Sequence, residues 1–152
     1  MDLRSKVNTA LKQAMKDKAA DRLSTLRLIN AAIKDKDISA RAEGSEDGVG
    51  DDTVLAILGK MSKQRSESAR AYEEGGRLDL ADRERDEIKV IEEFLPRQLS
   101  DAEAERAVDA VIREAGAGSI RDMGKVMGVL KAKYAGQMDF GKVGPMVKAR
   151  LS

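Results

Sequence analysis

The residues able to do chemistry in this 152-residue chain are few in kind, because it has no histidine and no cysteine. That excludes disulfides, Cys-based zinc sites, a thiolate nucleophile and every imidazole general base. A di-iron bundle built on Glu-x-x-His is excluded with them. Ser/Lys pairs, carboxylates and Mg²⁺ chemistry remain. The stretch KMSKQRSESARAYEEGGR holds Ser62 beside Lys63. Neighbours on a helix point about 100° apart and no oxyanion loop flanks them, so a Ser/Lys hydrolase is not expected. Its other cations, Lys60, Arg65, Arg70 and Arg77, read as a solvated helix face. Of the acidic stretches, EDGVGDD (46–52) lacks calcium-loop spacing. In DLADRERDE (79–87), Asp82 and Asp86, and Arg83 and Glu87, fall at the i,i+4 spacing of a solvent-facing helix. No metal site, cofactor or catalytic residue is expected.

The strongest candidate for binding is RDMGKVMGVLKAKYAG, residues 121–136, where two glycines lie one turn apart in a helical pattern. Each costs roughly 1 kcal/mol relative to alanine in a helix interior. At about 100° per residue, Met123, Val126, Met127, Leu130 and Tyr134 form the core face. Gly124 and Gly128 fall roughly 105–145° from its centre, on a stripe shared with Lys131 and Ala135. Such a stripe lets a sugar-phosphate chain or another helix approach the backbone closely. The alternative is that Gly124 sits in the first turn, where the cost is small, and Gly128 fits a neighbouring helix of the same fold. Gly-x-x-x-Gly has its membrane-dimer meaning only in an apolar 20-mer, and the Gly-Lys pair lacks the rest of a phosphate-binding P-loop. The GAGS turn at 116–119 reads as a simple turn. The expected nucleic-acid-binding residues are Gly124, Lys125, Gly128, Lys131, Lys133, Lys142 and Lys148.

Charge supports this placement. The net charge is only +1, yet residues 96–152 hold ten basic against seven acidic residues, and those in 119–152 are seven against two. A near-neutral protein with a basic end suits a polyanion.

The elements that must position these residues are helices. Aromatics are 3% and charged residues 36%, so the core is aliphatic and the surface highly charged. Leu3, Val7, Leu11, Ala14 and Met15 space a first amphipathic helix, and Leu23, Leu26, Ile29, Ala32 and Ile33 a second from about Asp21. The glycine-rich acidic residues 42–52 form a loop, with Asp51 or Asp52 capping the next helix. That helix carries Val54, Ile57, Leu58, Met61 and Tyr72 and ends at Gly75-Gly76, before a fourth from about Asp79 to Phe94 with Leu80, Ile88 and Ile91 inward.

Pro96 breaks the chain and divides an N-terminal helical domain, 1–95, from a small C-terminal helical bundle, 96–152. Ser100-x-x-Glu103 opens the next helix as a capping box, and Gly116 closes it. Ser119 caps the glycine-bearing helix, which runs to Gly136. Asp139 then caps a short turn, and Gly144-Pro145 restarts the chain into a last short element. The fold class is all-α. No apolar run approaches the ~18 residues of a membrane span and the start is charged throughout, so neither a membrane span nor a secretory signal is expected, and a cytoplasmic protein without a membrane partner is.

Four blocks carry a resemblance: LRLINAAIKDKDI (26–38), DDTVLAILGKMSKQRSESARAYEEGGRLDLADRE (51–84), IEEFLPRQLS (91–100) and DMGKVMGVLK (122–131). Together, in this order, they resemble the GatB/YqeY family. The resemblance implies two all-α domains, the second similar to the tail of the B subunit of glutamine-dependent tRNA amidotransferase. It implies contact with tRNA and the family label of carbon–nitrogen ligase with glutamine as amido donor. The B subunit's catalytic domain has no room in this chain, so an accessory RNA-binding module is expected, its partners tRNA or structured RNA and a tRNA-processing protein, not DNA. A protein-interaction adaptor docking a partner helix is the alternative.

Overall fold

The structure, a computed structural model, describes residues 2–152. Among them are seven α-helices and no strand: α1 (Leu3–Lys16), α2 (Ala20–Ala42), α3 (Asp51–Glu74), α4 (Leu78–Glu92), α5 (Asp101–Ala115), α6 (Met123–Lys133) and α7 (Phe140–Leu151). A single 3-10 turn, Ile120–Asp122, leads into α6. They group into two compact units, Met1–Leu95 and Pro96–Ser152, each with its own core.

In the first unit α1 packs on α2 and α3 on α4, with α2 also meeting α3 and α4. Val7, Leu26, Ile29, Ile33, Val54, Leu58 and Ile91 are closed to solvent. Removing a Leu or Ile side chain from water contributes about 1.5–3 kcal/mol, so these residues dominate the stability of the unit. Local chemistry sets the helix ends. Asp2 caps α1 by accepting the Ser5 N–H. At its far end Lys18, φ 55°, takes the left-handed position usually given to glycine, and Ala19 N–H closes on the Ala14 carbonyl. α3 stops the same way with a glycine there, Gly76 at φ 77° and Arg77 N–H on the Tyr72 carbonyl at 2.8 Å.

The second unit is held by Val108, Val111, Val126, Leu130, Val143, Val147 and Leu151 from α5, α6 and α7. The Ser100/Glu103 capping box is formed reciprocally. The Arg97 guanidinium on Glu103 and the Ser100 N–H together hold that carboxyl down at about 2.

The structure corrects several local expectations. Met15 is 52% exposed rather than inward, while Ala81, with no place in the expected core, is closed to solvent. Residue 50, not an aspartate, is the N-cap of α3, and the Asp51 carboxylate instead accepts the Leu3 N–H of α1. Ser119 makes no side-chain cap, because the chain enters α6 through the 3-10 turn, where Asp122 accepts the Gly118 N–H. α6 ends at Lys133, short of Gly136. Arg83–Glu87 is not formed, since Glu87 receives Arg65 of α3 at 3.0 Å.

The largest difference lies after Asp139. That residue does cap, accepting the Gly141 N–H at 2.9 Å, but the result is one continuous helix with Pro145 inside. Proline normally bars the residue before it from helical backbone through a Cβ–Cδ clash. The residue before it here is Gly144, which has no Cβ, so the helix continues.

Candidate nucleic-acid interface

α6 is short and turns Val126 and Leu130 fully inward, with Met123, Met127 and Tyr134 half-buried against the same core. Its opposite side is bare: Gly124, Lys125, Gly128, Val129, Lys131, Ala132 and Lys133 are all exposed. The face expected from the 100° count is the face observed.

The two glycines are not demanded by packing. A Cβ built on Gly124 or Gly128 meets nothing within 4 Å, and neither has positive φ. Gly128 therefore fits no neighbouring helix of its own unit, which removes the packing alternative. Gly124, the second residue of α6, lies in the first turn where a glycine costs little, whereas alanine at Gly128 would favour the helix by up to about 1 kcal/mol. At Gly128 the helix thus presents open backbone at a cost in stability that no contact of its own unit requires.

The lysines divide into two groups. Lys125 Nζ donates to the Ala115 carbonyl at 3.2 Å, and Lys133 Nζ pairs with Glu114 at 3.6 Å. Both thus reach the C-terminal end of α5, where a cation meets unpaired carbonyls and the negative end of the helix dipole. Both contacts lie at the surface, where such a pair contributes about 0–1 kcal/mol. Lys131, Lys142 and Lys148 are exposed and make no side-chain hydrogen bond or ion pair among the described residues. Lys131 lies on the glycine flank by the helical count, whereas Lys133 lies on the other. Lys142 and Lys148 belong to α7, whose inward line is Val143, Val147 and Leu151.

Four further residues were not among the expected binding residues. Arg150 is engaged by Asp109 of α5, and so drops out of the free cations. Arg121 is exposed without a partner among the described residues, and Ile120 and Val129 stand 44% and 39% exposed. Val129 was legible, since one residue beyond Gly128 it falls outside the core face on the helical count. Arg150 was not, because its partner lies 41 residues away. The surface of α6 can receive a polyanion or an apolar partner.

Other charged stretches are structural. Arg65 of α3, 15% exposed at its side chain, bridges to Glu87 of α4 and donates to the Met61 carbonyl. Arg85 is held by Glu73 and Asp82. Among the described residues no group of three or more acidic side chains is placed to hold a metal ion, and no helix is long and apolar enough to cross a membrane.

Comparison with known proteins places this fold in context. A family model described as Yqey-like protein matches residues 4–151. An uncharacterized protein of Schizosaccharomyces pombe is 28% identical over 99 residues, covering 65% of this chain and 76% of that one. The protein named altered inheritance of mitochondria protein 41, mitochondrial, is 33% identical in Clavispora lusitaniae, over 61% of this chain and 51% of the relative. The protein of that name in Vanderwaltozyma polyspora is 34% identical, over 56% and 44%. The chain thus spans about half the length of these two mitochondrial relatives.

Proposed function

The chain belongs to the YqeY-like family, and from that premise we propose that it is an accessory RNA-binding module of tRNA metabolism with no active site of its own. One observation carries the reading: α6 exposes two glycines into open space beside the unpaired Lys131. A sugar-phosphate chain needs backbone without side chains for close approach and a cation to neutralise phosphate. The resemblance of the C-terminal part to the tail of the tRNA amidotransferase B subunit supports tRNA as the RNA. The histidine- and cysteine-free sequence supports an accessory rather than a catalytic role.

Binding of a tRNA transcript across a salt series tests it. Affinity is expected to fall steeply with ionic strength, and Lys131→Ala to lower the slope by about one unit per lost phosphate contact. Gly128→Leu is expected to abolish binding with the helical circular dichroism unchanged. Wild-type affinity in Gly128→Leu would remove α6 as the site.

A second reading, an adaptor docking a partner helix, is favoured by the exposure of Val129 on α6 and of Ile120 in the turn before it. An apolar contact of that kind shows almost no salt dependence, which separates it from phosphate binding.

A further inference from the structure

The connection between α2 and α3, residues 43–50, lies in the first unit and carries a second device. Its start is tied to α2 by the N–H groups of Glu43, Gly44 and Ser45 on the carbonyls of Ala40 and Arg41. Between Ser45 and Gly50 its hydrogen bonds among the described residues all run through Val49. Val49 N–H donates to Asp37 Oδ1 at 2.9 Å, and its carbonyl accepts from Arg4 Nη2 at 3.0 Å. The Arg4 guanidinium grips both Asp37 oxygens, at 2.7 and 2.8 Å. Residues from the first turn of α1, the second half of α2 and the end of the loop are thus joined in one small ring of charged hydrogen bonds. A planar fork on a carboxylate is among the strongest and most directional of such arrangements.

The backbone is shaped to fit this ring. Gly48 sits at φ 81°, and a Cβ there would stand 3.0 Å from Asp37 Oδ1 and 3.2 Å from Arg4 Nη2. The Val49 side chain packs on the first core, so the ring holds an apolar plug in place. The rest of the loop has little to hold it: Glu43 to Asp47 are exposed, and Gly44 meets nothing.

We propose that Arg4 and Asp37 form a latch, and that residues 43–50 are a strap that swings open locally, withdrawing Val49 from the first core, when the latch is released. The rest of the unit stays folded in the open form, because the fully buried Leu26, Ile29, Leu58 and Ile91 lie outside the strap.

Hydrogen–deuterium exchange on the full chain reads this directly. In Arg4→Met, which keeps an unbranched stem but no donor, the Val49 amide, the one amide of 46–50 with an acceptor among the described residues, is expected to exchange about tenfold faster or more in the peptides that carry it, while peptides from the middle of α2, α3 and α4 keep wild-type rates. Asp37→Asn, which removes the charge and half the fork, is expected to move the same peptides in the same direction by less. Unchanged exchange in 45–50 in both variants would overturn the latch. So would uniform acceleration or unfolding of the whole unit, since the pair would then hold the unit together rather than the strap.

Discussion

Asp37 is the residue at which charge most clearly becomes stability. The Arg4 guanidinium and the Val49 N–H hold its carboxyl down at about 2, with Arg41 adding attraction. A carboxyl depressed in the folded state stabilises the fold above its unfolded value, near 4, and loses that contribution as the pH falls through its folded value. The wild-type chain is therefore expected to lose stability between about pH 4 and pH 2. Asp37→Asn should lose less over the same window, so the gap between the two proteins, measured by urea unfolding at pH 5 and pH 2.5, should narrow on acidification. A constant gap would mean that the Arg4–Asp37 ion pair contributes nothing through its charge. Lys125 and Lys133, two cations expected to meet phosphate, each make one surface contact to the end of α5. The free charge at α6 is Lys131.

At the scale of the element, two glycines in neighbouring helices have opposite meanings. Gly128 lies in α6 with open space at its Cβ position and ordinary helical backbone, so Gly128→Ala is expected to stabilise the second unit by about 0.5–1 kcal/mol. Gly144 also meets nothing at its Cβ position beyond its chain neighbours, yet it precedes Pro145 inside α7. A β-branched side chain there meets the proline ring and drives the backbone toward extended geometry. Gly144→Val is expected to destabilise the unit by about 1–3 kcal/mol. Urea unfolding followed by the exchange of α7 amides checks both signs. Equal effects from the two substitutions would refute the local explanation of the continuous helix.

At the scale of the molecule, the aliphatic side chains form two separate cores, one on either side of Pro96. We propose that residues 1–95 and 96–152 are domains in the folding sense. Brief digestion with a non-specific protease is then expected to cut within 42–52 and at the exposed Pro96–Gln98 stretch, and the pieces separated at the latter are expected to keep helical circular dichroism. Fragments that lose their helicity once separated would show that neither core suffices alone. The arrangement suits an accessory module, because the α6 surface stands on a core of its own.

The sequence by itself determined the helices, most of their ends and the bare face of α6. These depend on spacing of 3–4 residues, on capping groups such as Ser100 and Glu103, and on glycine at chain turns, all of which are local. It also showed in advance that the chain lacks imidazole and thiol chemistry. Only the tertiary structure decided which cations are free, because Lys125, Lys133 and Arg150 are engaged by α5 across the fold. Only it tied Arg4, Asp37 and Val49 into one ring, as the partners lie 33, 45 and 12 residues apart. Gly144-Pro145 shows the boundary between the two. Read alone, proline after glycine is a restart; capped by Asp139 and packed through Val143, Val147 and Leu151, the same pair lies within a continuous helix, because Gly144 has no Cβ to clash with the ring and packing on one side then outweighs a single missing N–H.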